Sequence, residues 1–138
     1  MTVSRALERP SWAHRGIAAV ADGRLATFDP GNSVLRIADA GGELIAEHTT
    51  PVITAHGVTS GFGEGGRELL WIADTASAPR PDPSGGYWHW YAPGHGRVVA
   101  LGLDGTIEEE LALPPLRIYD GRRFEPTAVL PLPDWGPI

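Results

Sequence analysis

Short apolar runs alternate with breaks rich in glycine, proline and aspartate along the whole chain, the pattern of β-strands joined by tight turns. The clearest instance is HGVTSGFGEGGRELLWIAD, from His56 to Asp74. An apolar run ending at Phe62 meets a GEGG turn, and RELLWIAD returns as a second strand, which predicts a β-hairpin. A shorter version, HRGIAAVADGRLATFD, lies between His14 and Asp29. The segment SRALER before Pro10 is too short to hold a helix by itself.

Taken in order, residues 1–13 are a lead-in and residues 14–50 a first unit. Its strands are predicted at 16–20, 24–29, 34–39 and 43–49, with turns at Asp22-Gly23, Pro30-Gly31-Asn32 and Gly41-Gly42. Residues 51–112 repeat that order, with strands at 57–62, 68–74, 97–103 and 106–111. Val34 stands seven residues before Gly41, and Val98 stands seven before Gly105, so the two units are aligned on those pairs. From Gly16 to Gly57 the spacing is 41 residues. The second unit is lengthened by an insertion at 76–96, between its second and third strands. A connection follows, and a third unit is expected to begin at Pro126-Thr127-Ala128-Val129-Leu130, making 113–138 an incomplete continuation. Each unit reads as a four-stranded antiparallel meander, and the fold class is all-β.

Composition narrows the function more than the fold. The 138 residues are 42% hydrophobic, with 18 Gly and 13 Pro, as expected of a globular protein with many turns. Without cysteine there is neither a disulfide nor a thiolate metal site. A net charge of −6 argues against a nucleic-acid partner. No apolar run reaches the roughly 20 residues of a membrane span, and the N-terminus lacks the apolar core of a signal peptide, so a cytoplasmic location is expected. GFGEGG joins two strands instead of opening a helix, and is therefore no phosphate cradle.

The residues HGV, LLWIADT and GRVVALGLDGTI resemble the repeat of NHL-type six-bladed β-propellers. The second unit matches at Trp71, Asp74, Arg97, Val98, Asp104 and Gly105. The first matches at Gly16, Ile17, Asp22, Gly23, Asp29, Asn32, Val34 and Gly41, but carries Phe28 and no tryptophan. The resemblance implies a partial propeller of four-stranded blades, since a closed ring takes about four to eight. The remaining blades are then expected from a longer chain or from copies of this one. It also implies that first strands line a central channel, with His14, His56 and Thr127 at its mouth. Asp29, Asp74, the insertion and the connection 113–126 then share that face. Function is open in this group: one reading is a scaffold whose loop face binds a small molecule or protein. The other is a metal-dependent lyase or hydrolase, akin to the amidating-lyase and gluconolactonase-like propellers, with a divalent zinc or calcium ion.

Candidate contacts follow from side-chain chemistry. His56 is the candidate metal or substrate contact, or else hydrogen-bonds a neighbouring unit. A catalytic zinc normally takes three protein ligands, and only His14 is placed to join it. Asp74 and Asp29 end strands before turns and read as binding carboxylates or as acceptors of backbone N–H groups. Trp71 and Trp12 are read as packing between units. Tyr87, Trp88, His89, Trp90 and Tyr91 form an aromatic run, followed by His95, that either grips a ligand or packs as a flap. Arg117, Arg122 and Arg123, beside Tyr119, are suited to a carboxylate or phosphate, or to solvent.

Overall fold

The computed structural model describes residues 16–29 and 33–129. Trp12, His14, the turn at 30–32, Leu130 and the rest of the expected third unit lie outside the described residues. Ten strands are present: β1 (Ala18–Ala19), β2 (Leu25–Phe28), β3 (Val34–Ala38), β4 (Leu44–Thr49), β5 (Ala55–Phe62), β6 (Glu68–Asp74), β7 (Ser77–Pro81), β8 (Tyr87–Tyr91), β9 (Arg97–Leu101) and β10 (Ile107–Glu110). Among the described residues there is no α-helix. Two 3-10 turns occur, at Glu64–Gly66 and Arg117–Asp120.

All pairings are antiparallel. One sheet has the order β1-β2-β3-β4 and a second the order β5-β6-β9-β10. Each is the four-stranded meander expected from the turn signals. The insertion leaves the second sheet between β6 and β9 and folds as a separate two-stranded ribbon, β7–β8. The turns form for a local reason. Asp22, Asp39, Asp82 and Asp104 each accept the N–H of the residue two places on, at 2.9–3.1 Å. The hairpins that they open contain Gly23, Gly42, Gly85 and Gly105 at positive φ, which glycine adopts without steric cost.

The ladders correct the alignment of the two units by one residue. The turn glycine at positive φ is Gly42 in the first sheet and Gly105 in the second, and each donates its N–H back across the turn, to Asp39 and Gly102. Both outer pairs also carry the same irregularity, between Ile37 and Ala38 opposite β4 and between Ile107 and Glu109 opposite β9. Val34 therefore corresponds to Arg97, not Val98. Because side chains alternate along a strand, that single step exchanges the two faces.

The consequence is directional packing. The dry interface between the sheets takes Ala26, Phe28, Leu35 and Ile37 from the first and Leu70, Ile72, Val99 and Leu101 from the second. In the corrected alignment Leu35 and Ile37 correspond to Val98 and Ala100, whereas Val99 and Leu101 correspond to Arg36 and Ala38. The sheets thus meet through unlike faces, head to tail. The first strands approach closely as well. A Cβ on Gly16 would strike the backbone of Val58, and one on Gly57 would lie 2.8 Å from the Thr127 carbonyl oxygen and 3.1 Å from Ala128 Cα. Residues 127–129 thereby lie against β5 as β5 lies against residue 16, and Thr59 Oγ1 donates to the Val129 carbonyl at 3.0 Å.

Candidate functional site

Asp74 ends β6 inside the protein, with no exposed surface. Its carboxylate accepts the N–H groups of Ile53 at 3.0 Å and of Thr54 and Ala76 at 2.9 Å, and Arg97 Nε stands 3.4 Å away. Arg97 in turn donates to the Pro51 carbonyl at 2.7 Å. These bonds fasten the segment entering β5, the start of the insertion and the start of β9 to one side chain. Each carboxylate oxygen thus accepts two donors of the chain itself, the second of the two roles that the sequence allowed for Asp74. Asp29, its counterpart in the first sheet, lies 3.4 Å from Arg36 Nη2.

Arg123 organises the base of the ribbon, a role that inspection of the basic group at 117–123 does not reveal. Its Nη1 donates to the carbonyls of Ala92 and Gly94, and its Nη2 to those of Thr75 and Ala76, at 3.1 and 2.9 Å. The guanidinium also lies 5.4 Å from the centroid of the Tyr91 ring. One cation thus joins the connection to both ends of the insertion, which uses the fork of donors that a lysine lacks. The other two arginines divide from it: Arg117 and Arg122 are exposed.

His95 reinforces the same junction. Its Nδ1 accepts the Phe124 N–H at 2.9 Å, and Gly96 N–H donates to the Phe124 carbonyl at 2.7 Å. Tyr119 stands edge-on to both His95 and Phe124, with centroids 6.2 and 5.2 Å apart. His95 and Tyr119 are therefore brought together, as part of the scaffold under the ribbon. His56 is half-buried, and its Nδ1 lies 2.9 Å from the Thr127 carbonyl. A carbonyl only accepts, so the ring proton sits on Nδ1 and the side chain ties β5 to the following segment. Among the described residues no three His, Asp or Glu side chains are grouped so as to hold a metal ion.

The aromatic run stands above this base. Cross-strand pairing places Tyr87, His89 and Tyr91 on one side of the ribbon, opposite Pro81, Pro79 and Ser77. Trp88 and Trp90 share the other side with Arg80 and Ala78, and the Arg80 guanidinium lies 5.0 Å from the Trp90 ring. Tyr87, Trp88 and Tyr91 are 47–51% exposed. Arg117, the remaining candidate, has no part in this cluster beyond its place in the same connection.

No protein-family model and no curated protein shows a significant match to the chain. Among the described residues, no helix is long and apolar enough to cross a membrane.

Proposed function

We propose that this chain is a binding module whose aromatic ribbon, β7–β8, grips a protein partner from a rigid β-sheet scaffold. The observation that carries this reading is the contrast within the ribbon: a base bound by Arg123 and Asp74, and a strand β8 along which the Tyr87, Trp88 and Tyr91 rings stay half in water. Isolated two-stranded ribbons are marginal in water, so such anchoring keeps the rings presented. Tyr and Trp dominate the energetics of protein interfaces because they bury much area at little entropic cost.

The scaffold is, in this proposal, part of an NHL-like β-propeller. Head-to-tail sheet packing supports it, because unlike-face contacts repeat into rings when the rotation closes. The matching approaches of Gly16 and Gly57 to the next first strand, and the 41-residue spacing, support it too. Closing the ring takes further units of the same kind.

A selection of displayed peptides on the purified chain tests the binding role. Enriched peptides are expected to lose at least about tenfold in affinity for a Trp88→Ala/Tyr91→Ala variant. Peptides that bind the variant unchanged would place the binding surface elsewhere and refute the proposal.

A further inference from the structure

Residues 123–129 are fastened at both ends. At the first end the segment holds the base of the ribbon. Arg123 donates to the carbonyls of Thr75, Ala76, Ala92 and Gly94, and Glu125 Oε1 accepts from Ser77 Oγ at 3.2 Å. Phe124 accepts from the Gly96 N–H and donates to His95. At the other end the segment lies on β5, where the Thr127 carbonyl accepts from His56 and the Val129 carbonyl from Thr59.

Both ends are seated on glycines. A Cβ on Gly96 would stand 2.9 Å from the Phe124 carbonyl oxygen and from Pro126 Cδ, as one on Gly57 would press on Thr127 and Ala128. Such close approach leaves no slack at either seat. Only Glu125 and Pro126 lie between Phe124 and Thr127, a reach of at most about 11 Å. The proline ring fixes its own φ and keeps Glu125 out of the helical region. Few torsions remain to absorb a displacement at one end. Without this segment, the hydrogen bonds tying the start of the ribbon to the sheets are those of Ala76 N–H to Asp74 and of Thr75 N–H to the Thr54 carbonyl, at 2.9 and 3.2 Å.

We infer that residues 123–129 are a strap: their docking on β5 orders the ribbon and thereby sets the affinity of its binding surface. The inference rests on the ribbon being a binding surface and names its regulation. With the strap seated, Arg123 and Phe124 hold both ends of the insertion, and the aromatic rings are presented ready to bind. With residues 127–129 lifted from β5, that hold slackens, and a partner must order the ribbon at the expense of affinity. Whatever displaces the strap from β5 therefore acts on a site that it does not touch.

Hydrogen exchange of the full chain, followed by NMR, tests the coupling. The Ala92 amide, bonded to the Ala76 carbonyl at 2.8 Å, reports the ribbon, and the amides of β6, which is paired on both sides, report the core. Thr59→Val removes the bond to Val129 at nearly constant volume, and Gly57→Val presses a branched side chain against Thr127. Exchange at Ala92 is expected to quicken at least about threefold in the first and about tenfold in the second, with β6 unchanged. Peptides selected for dependence on Trp88 and Tyr91 are expected to bind both variants at least about threefold more weakly. If Gly57→Val does not fold, Thr59→Val decides. Exchange at Ala92 that keeps the wild-type rate overturns the inference, as does an equal rise in β6 or an unchanged peptide affinity. Should selection yield only peptides indifferent to Trp88 and Tyr91, the binding role falls, and the exchange rates still decide the coupling.

Discussion

The two four-stranded sheets share strand order, turn chemistry and even the position of a bulge, yet they are buried differently. In the first, burial alternates along β2 and β3, with Ala26, Phe28, Leu35 and Ile37 inside and Leu25, Thr27, Val34 and Arg36 partly open. In the second, β6 and β9 are buried on both faces, and Leu70, Ile72, Ala73, Val99 and Ala100 have no exposed surface. The sequences show it: LATF and VLRIA interleave polar positions, whereas LLWIA and VVAL are continuous apolar runs. A strand covered on one face alternates, and one covered on both does not. The second sheet is the centre of the described protein, and the first is its flank.

The strongest way to break that comparison is at the paired aspartates. Asp74→Asn is expected to destabilise by about 3–5 kcal/mol, because it unbalances a buried carboxylate that binds three N–H groups and Arg97. Asp29→Asn is expected to cost less, because the Arg36 guanidinium 3.4 Å from it is 42% exposed. Urea unfolding followed by tryptophan fluorescence measures both, and equal losses would contradict the asymmetry. Next in size are the corresponding leucines. Leu70→Ala should cost about 2–5 kcal/mol as a cavity in the interface between sheets, and the same change at half-buried Leu25 about 1 kcal/mol.

A smaller effect is expected at Trp71, whose buried Nε1 has no hydrogen-bond partner among the described residues. Trp71→Phe removes that unpaired donor, which offsets the lost ring area, so the net change is within about 1 kcal/mol. A large loss in thermal melting would mean that the indole is bonded.

The smallest effect concerns acid. Backbone N–H bonds from Arg24, Ser84 and Thr106 hold the carboxyls of Asp22, Asp82 and Asp104 below the ordinary 3.8. A depressed folded pKa stabilises the fold above the unfolded value, and that contribution is lost as the pH falls below about 3.8 through the folded values. The three turns lie one in each sheet and one in the ribbon, so acid should loosen all three layers alike. Carboxyl shifts followed by NMR from pH 5 downward should show midpoints under 3.8 at all three aspartates. A midpoint confined to one layer would sharpen the difference between them.

Strands and turns were legible because their causes are local. An Asp followed by Gly can close a hairpin with its own side chain, whatever surrounds it, and the eight strands of the two meanders lie within a few residues of their expected places. The register was less legible at Gly41-Gly42. Two adjacent glycines are equally permissive, and only the ladder decides which of them takes the positive φ. The ribbon was hidden by its prolines, which argue against a strand until one sees that both nitrogens face outward. Arg123 was hidden too. Its carbonyl partners at 75, 76, 92 and 94 are distant in sequence, and backbone acceptors carry no residue signature.

By itself, then, the sequence determined the all-β class, the order of the meanders and the aromatic character of the insertion, because short-range periodicity and turn chemistry act within a few residues. Only the tertiary structure decided which faces meet, that Asp74 and His95 serve the scaffold, and that the tyrosines and Trp88 of β8 stay half in water. Those outcomes depend on groups brought together from remote parts of the chain, where burial and hydrogen-bond geometry assign each side chain to the scaffold or to the surface.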